Sequence, residues 1–517
     1  MVAFMSPLIV GACFSHDRTP GNEANFINKR VISFRANQDL AITPFLSGVM
    51  VEFRDHLLGS AFHKGVPLNM EEVGERQLRP RQKLDFEQSW LNGGKGVETT
   101  KSFGKAEAYS KPGDMRGIST INPESKLKWA QFVYAFADFV KCQPWYSFGH
   151  CPREIAERIA AICGGALTVL LTDFSRMDGH ISQLLRIFEE ILYLGFFYPE
   201  YHEQLSEAFS EQMNLTGQTP SGLTYETSWT RLSGEMSTSL SNTLINAFIS
   251  YLTFRRTKVG DRFMEPDEAW DRLQRGGAYG GDDGITANVD PALFVSTAKL
   301  VGQEAEAIVV QRGHPGVKFL AREYTPTVWN GNPNSTCDVF RQLAKFHSTP
   351  NVQGLSPVDK LVQKSISFSL TDRNTYLVGP LVRRVLTLSE KEEHPLPAVA
   401  KTLARFFDSH ALEDQFPNEG PEMGARPSWA PPDAEARLEE ALLAAERLED
   451  LLSLPVLYEH QAEPPKSTAV VDGQIVEGVK GYEPQVQKVR RGRRANAKRK
   501  EAAAKVDVIA KAVDANH

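Results

Sequence analysis

Asp282 and Asp283 stand side by side in the glycine-rich stretch GGAYGGDDGIT, Gly276 to Thr286. Adjacent carboxylates repel, and one of a close pair gains proton affinity unless a cation neutralises it. A third aspartate, Asp173, closes the β-branched and leucine-rich run ALTVLLTD. Antiparallel pairing of the two segments would set Asp173 beside Asp282. Carboxylates alone suit a hard cation such as Mg²⁺, which binds a few carboxylates plus substrate phosphates. Two such ions, roughly 3.5–4 Å apart, activate an attacking hydroxyl and stabilise a leaving oxygen in phosphoryl transfer. Taken alone, D-D-G is also a common turn, and a solvated hairpin tip is the better reading of it.

The neighbouring residues change that weighing. DFSRMD places Asp178 five positions after Asp173. SGEMSTSLSN spells S-G-x-x-x-T-x-x-x-N through Ser233, Gly234, Thr238 and Asn242. Thr238 and Asn242 are four apart, so a helix would present them on one face. Ser233 and Gly234 would open that helix, with Ser233 as its N-cap. An ordinary buried helix with a Ser/Thr surface is the competing reading, but so many hydroxyl and amide side chains fit a polar wall better. Gly280, Gly281 and Gly284 are expected to allow a sharp turn and to keep bulk away from an approaching chain end.

In this order and at this spacing, DFSRMDGHIS, SGEMSTSLSN and GGDDG resemble motifs A, B and C of viral RNA-dependent RNA polymerases. They are most similar to the nodavirus and tombusvirus-like polymerases of positive-strand RNA viruses. The resemblance covers about Lys105 to Tyr324. It implies an α+β right-hand polymerase of fingers, palm and thumb, with an antiparallel palm sheet flanked by helices. Asp173 and Asp282 would hold two Mg²⁺ or Mn²⁺ ions, with Asp283 supporting them. Asp178 and Asn242 would sense the ribose 2′-OH, with Ser233, Gly234 and Thr238 beside them. KAEAYSKPGDMRGIS resembles motif F, so Lys105, Lys111 and Arg116 would line the path of the NTP triphosphate. VKFLAREYT resembles motif E, which puts Arg322 beside the primer end. The usual motif D lysine is missing from GQEAEAIVVQRGHPG; Arg312, His314 and Lys318 are the available substitutes, and the site stays unassigned.

The implied organisation assigns 1–165 to fingers, with 184–228 interleaved. It assigns 166–183 and 229–325 to the palm, 326–412 to the thumb, and 413–517 to a linker, a helix and a basic tail. The implied partners are an RNA template, the nascent strand and NTPs, together with other replication proteins or a membrane-bound replication complex in the host cytoplasm. Nodavirus replicases usually carry a membrane-anchored capping region as well. The resemblance lies only in the polymerase part, so neither capping nor membrane insertion is expected from it.

The elements that must position these residues are readable in outline. Apolar residues at three- and four-residue spacing predict helices over 126–141, 152–163, 181–197 and 236–255. A further helix is expected near 292–310, a hairpin at GVKFLAREYTP, and mainly helix over 326–412. FPNEGPEMGARPSWAPPD, from Phe416, reads as a linker. In the helix that follows, Leu438, Ala441, Ala445, Leu448 and Leu452 form a stripe that fits a short coiled coil or packing on the main body. Beyond EPPK a polar, disordered tail is expected.

A chain of 517 residues with 41% hydrophobic and 24% charged content can bury a large core. Its net charge of −6 gives no global attraction to nucleic acid. KVRRGRRANAKRK, Lys488 to Lys500, holds eight basic residues and no acid, so the rest of the chain carries −14. Five cysteines without a C-x-x-C argue against a disulfide framework. Cys142, His150 and Cys151 lack a fourth partner for zinc. The N-terminus does not read as a signal peptide, and no apolar run reaches transmembrane length. Two other functions fit parts of the chain. A non-enzymatic viral RNA-binding or packaging protein would use the basic tail but not the aspartates, and a reverse transcriptase shares the two-metal palm but not the residues that read ribose.

Overall fold

The structure is a computed structural model that describes residues 1–37, 40–91, 99–350, 354–394, 414–465 and 468–477. At its centre is a four-stranded antiparallel sheet made of β1 (Thr168–Phe174), β2 (Gly277–Gly280), β3 (Asp283–Ala287) and β4 (Ala305–Gln311), in the order β2-β3-β1-β4. β1 forms because TVLLTDF is β-branched and apolar on both faces, as a strand covered on two sides must be. Leu170, Phe174 and Tyr279 enter a core shared with the helices α1 (Gln183–Phe196) and α2 (Thr238–Arg255). Val169, Ala278, Ile285 and Val310 enter another core with Ala156, Ile159 and Ala160 of the helix Pro152–Gly165.

The register places Gly284 opposite Thr172 and Ile285 opposite Leu171. The next opposing pair in that series is Asp283 with Asp173. β2 and β3 are joined by a two-residue turn, Gly281–Asp282, because Gly280 pairs with Asp283. Gly281 has φ +66, which an L-residue with a side chain adopts only at a cost. α2 is buried almost all round from Leu240 to Phe254, the mark of a helix inside a core. Its polar residues Thr243, Asn246, Ser250 and Thr253 are buried as well, so they must find partners inside the protein.

Two outer regions complete the described structure. One is a mixed sheet in which Thr99–Gly104 lies between Gly117–Thr120 and Thr216–Gln218, with Thr224–Glu226 at the edge. The other is a helical body around Val339–Phe346, Pro357–Thr371 and Val378–Lys391. Phe4, Leu8 and Ile9 from the start of the chain share its core with Leu343, Leu381, Leu438 and Leu451.

Several local expectations are corrected. The segment expected as one helix over 292–310 is a helix, Pro291–Leu300, followed by strand β4. Gly302, at φ +80, breaks the helix, and the β-branched AIVV run then pairs with β1. The helix of SGEMSTSLSN starts at Thr238, so Ser233 is not its N-cap. The stretch from Phe416 is packed: Asn418 is buried and donates to the Ser335 carbonyl and the Thr375 hydroxyl. The leucine stripe breaks into a helix, Ala434–Ala444, and a short 3-10 turn, Leu448–Ser453, and both pack on the main body. Past Pro465, Ala469–Val471 and Gln474–Val476 form a hairpin that pairs with Phe14–His16. The motif Lys488 to Lys500 and the residues 395–413 lie outside the described residues.

Candidate active site

Asp173 ends β1, Asp282 occupies the β2–β3 turn and Asp283 opens β3, so the sheet gathers three acids at one end. Asp173 and Asp282 keep access to solvent. The three carboxylates feel one another. Asp283 is pushed up to about 7 by burial, then by Asp282 and Asp173. Asp173 is raised by the partial burial of its carboxylate and by Asp282, against the pull of the Phe174 N–H and Arg116. Repelling oxygens with no soft ligand among them fit a hard divalent cation. Their oxygens do not all approach within 4.8 Å of one another, as those of a closed site would. Glu306 lies opposite Asp173 on β4 and adds a fourth acidic group at the rim.

The turn is held from beneath by α2. The Thr243 hydroxyl accepts from the Gly281 N–H at 2.8 Å. The amide of Asn246, fully buried, reaches the carbonyls of Gly281 at 3.2 Å and Asp283 at 3.1 Å. The glycines are therefore not all turn residues. A Cβ on Gly284 would lie 2.4 Å from Thr172 Oγ1, so that glycine permits close packing under the turn. A Cβ on Gly280 would lie 2.9 Å from Leu320, at the tip of the hairpin Val317–Phe319 and Arg322–Tyr324.

Asp178 and Asn242 are brought together. Asn242 Nδ2 donates to Asp178 Oδ1 at 2.8 Å, and Asn242 is 7% exposed. Burial raises Asp178, partly offset by Asn242 and Arg231. Thr238 turns its hydroxyl back onto the carbonyls of Leu232 and Glu235. Ser233 accepts from the Ser119 N–H and donates to the Gly117 carbonyl, and a Cβ on Gly234 would lie 2.3 Å from the Ser119 carbonyl oxygen. The S-G step therefore docks onto the strand Gly117–Thr120, just past Arg116.

The basic residues divide. Lys105 and Arg116 flank Glu107 at 3.0 Å and 3.5 Å, while Lys111 is exposed. Arg322 is not brought to the aspartates. It is 5% exposed and spends its donors on Asp372, Ser335 and the Thr371 carbonyl. Two of the motif D substitutes are engaged elsewhere: Arg312 donates to the carbonyls of Cys163, Gly164 and Ala166, and Lys318 pairs with Glu323. Cys142, His150 and Cys151 form no cluster with metal-ligand spacing.

A buried ionic quartet behind Asn242 escaped the sequence reading. Arg186, Glu189, Arg231 and Glu235 have fully buried side chains. Arg231 donates through Nε to Asn242 Oδ1 at 2.9 Å and binds Glu189 and Glu235 with its other nitrogens. Arg186 closes the ring to Glu235 at 2.8 Å. The signal was present: charged residues at 186 and 189 interrupt the strongly apolar LLRIFEEILYL, and such charges are buried only when paired.

Comparison with known proteins adds a family. The family described as viral RNA dependent RNA polymerase matches residues 134–265, which take in Asp173, Asp178, Ser233 and Asn242. The chain is similar in sequence to RNA-directed RNA polymerases of several viruses. It is 30% identical over 396 residues to the RNA-directed RNA polymerase of Atlantic halibut nervous necrosis virus, a match over 72% of this chain and 39% of that protein. Against the polymerase of Pariacoto virus identity is 33% over 294 residues, 56% of this chain and 29% of the relative. The polymerase of Pieris rapae virus matches at 27% over 429 residues, 80% of this chain and 39% of the relative. The chain thus spans well under half the length of these curated relatives.

Proposed function

We propose that the chain copies an RNA template into RNA from NTPs, with the three aspartates holding two Mg²⁺ or Mn²⁺ ions. The reading rests most on one observation, the direct bond between Asp178 and Asn242, which are 64 positions apart in the chain. A carboxylate and an amide held together at the edge of an acidic metal cluster suit a ribose, whose 2′-OH both donates and accepts. Bound divalent cations would lower the proton affinity of an attacking 3′-hydroxyl and neutralise charge on the phosphates. The chain's own residues then divide the remaining work. Asp173 and Asp282 supply ligand oxygens, Thr243 and Asn246 fix the turn that carries Asp282, and Lys105, Lys111 and Arg116 meet the triphosphate.

On this reading the central sheet is the palm, the mixed sheet with 1–165 and 184–228 belongs to the fingers, and 326–412 forms the thumb. The work would take place in the host cytoplasm, at membrane-associated replication complexes with other replication proteins. Among the described residues no helix is long and apolar enough to cross a membrane. The test is incorporation of labelled nucleotides on an RNA template in Mg²⁺, with wild type and Asp282→Asn compared. Wild type should extend RNA with rNTPs and the variant should not. Extension by the variant at near wild-type rate would remove Asp282 from the reaction, and incorporation of dNTPs in preference would favour a reverse transcriptase.

A further inference from the structure

Far from the aspartates, three residues from distant parts of the chain converge. Cys13 and His347 are 2% and 0% exposed, and Asp472 is partly buried. One ligand atom from each, a sulfur, a ring nitrogen and a carboxylate oxygen, all lie within 4.8 Å of one another. His347 Nε2 is 3.7 Å from Asp472 Oδ1. Neither ring nitrogen of His347 has a hydrogen-bonding partner, and Asp472 Oδ1 has none either. A fully buried imidazole with both nitrogens unsatisfied is rare, because each buried polar atom left unpaired costs about 1–3 kcal/mol.

The backbone fixes this meeting. Val2–Ala3 pairs with Ser348–Thr349, which seats His347, and the Phe4 N–H donates to the His347 carbonyl at 3.0 Å. Phe14–His16 pairs with Ala469–Val471, and the Asp472 N–H donates to the Cys13 carbonyl at 2.9 Å. Asp472 is the first of the two turn residues of its hairpin, at φ +47, and its second oxygen accepts from the Gly11 N–H at 2.8 Å. That bond aims the free oxygen inward.

We propose that Cys13, His347 and Asp472 hold a structural zinc ion that fastens the N-terminal strands and the 469–476 hairpin to the helical body. The donor set is the argument for the metal. One thiolate, one imidazole and one carboxylate are borderline ligands that zinc accepts in tetrahedral geometry at about 2.0–2.3 Å, which sets ligand atoms roughly 3.3–3.8 Å apart. The 3.7 Å nitrogen–oxygen separation lies a few tenths of an ångström beyond the roughly 3.3–3.5 Å that a nitrogen and an oxygen take on tetrahedral zinc. Cys⁻ and Asp⁻ offset the two charges of Zn²⁺, with Lys364 the neighbouring cation. The Cys13 thiol loses its proton to solvent when the Zn–S bond forms. The fourth position falls to a water; what separates this set from Cys142, His150 and Cys151 is that its three ligand atoms lie within 4.8 Å of one another.

The proposal does not depend on the polymerase reading, since its test reads metal and not nucleotide incorporation. Full-length protein is loaded with zinc, desalted and assayed by atomic emission. About one zinc per chain is expected, falling at least tenfold in Cys13→Ser and in His347→Ala and remaining in Cys142→Ser and Cys151→Ser. Exchange with Co²⁺ in wild type should give a thiolate-to-cobalt band in the near ultraviolet, which reports the Cys13 ligand even if a variant fails to fold. Zinc uptake should release about one proton per ion. No retained zinc in wild type, or loss of zinc and of the cobalt band in Cys142→Ser or Cys151→Ser with retention in Cys13→Ser, overturns the assignment.

Discussion

Arg231 Nε donates to Asn242 Oδ1 across 2.9 Å, and this bond decides which way the Asn242 amide faces. With its oxygen committed to a guanidinium, Asn242 can offer only N–H groups to Asp178. The main-chain N–H of Arg231 also donates to the Asp178 carbonyl at 2.9 Å, so one residue fixes both members of the pair. The Arg231 side chain is fully buried and positions Asn242.

Sugar selection should therefore respond to all three residues. Asp178→Ala and Asn242→Ala are expected to lower the ratio of kcat/KM for rNTPs over dNTPs. Arg231→Lys keeps the charge facing Glu189 and Glu235 but loses the Nε donor. It should lower the same ratio by about tenfold, the worth of roughly 1.4 kcal/mol. Rates that fall equally for both sugars in Arg231→Lys would mean the quartet only stabilises the fold.

Gly284→Ala should destabilise the protein by about 1–3 kcal/mol, because the new methyl meets Thr172 Oγ1. Removing that atom with Thr172→Ala should recover part of the loss in the double variant, read by urea unfolding. A strictly additive cycle would show that the two positions do not compete for the same space.

Asp372 gives the clearest pH prediction. Burial alone would raise it, but Arg322, the Thr371 hydroxyl and the Cys337 N–H outweigh burial and hold its carboxyl below the usual range. The unfolded chain therefore takes up this proton first as pH falls. The stability it contributes is complete above about pH 4 and is lost as pH falls through the folded value. Asp372→Asn should cost about 3–5 kcal/mol at neutral pH, since Arg322 is left buried without its partner. The variant should also lose less stability than wild type between about pH 4 and pH 2. Parallel stability curves for the two proteins would show that this carboxylate does not drive acid unfolding.

Ending the chain after Glu477 removes the basic motif Lys488 to Lys500 and keeps the hairpin that pairs with Phe14–His16. Single-nucleotide addition on a saturating primer–template should persist. RNA affinity should weaken, and the slope of log K against log salt should flatten by about 0.7 for each single-strand phosphate that the motif no longer neutralises. Unchanged affinity and slope would show that the motif does not bind RNA.

Much of the site could be read from the chain because its chemistry is local. Asp173, Asp178, Ser233, Asn242 and the G-D-D turn each lie in a short stretch whose residue types say what they can do. The helices were legible for the same reason, with 236–255 found as Thr238–Arg255. What escaped depends on distant partners. Arg322 reads as a free cation until Asp372, fifty positions on, takes it up. Gly284 reads as a turn residue until Thr172 is seen against it. The 469–476 hairpin is a different kind of miss, because AVVDGQIV carries the Asp-Gly turn between β-branched residues that signals a hairpin. The polar sequence around it masked the signal.

The pairing of β1 with β3 also has a consequence in time. Thr172 meets Gly284, a residue 112 positions later in the chain. A ribosome adding about 5–20 residues per second needs roughly 6–20 s to cover that distance. During that interval β1 has been made but its β3 partner has not. The acidic cluster thus cannot form until Asp282 and Asp283 have been made, after α1 and α2. Those helices are the local structure available to shelter an apolar strand that is still waiting for its neighbour.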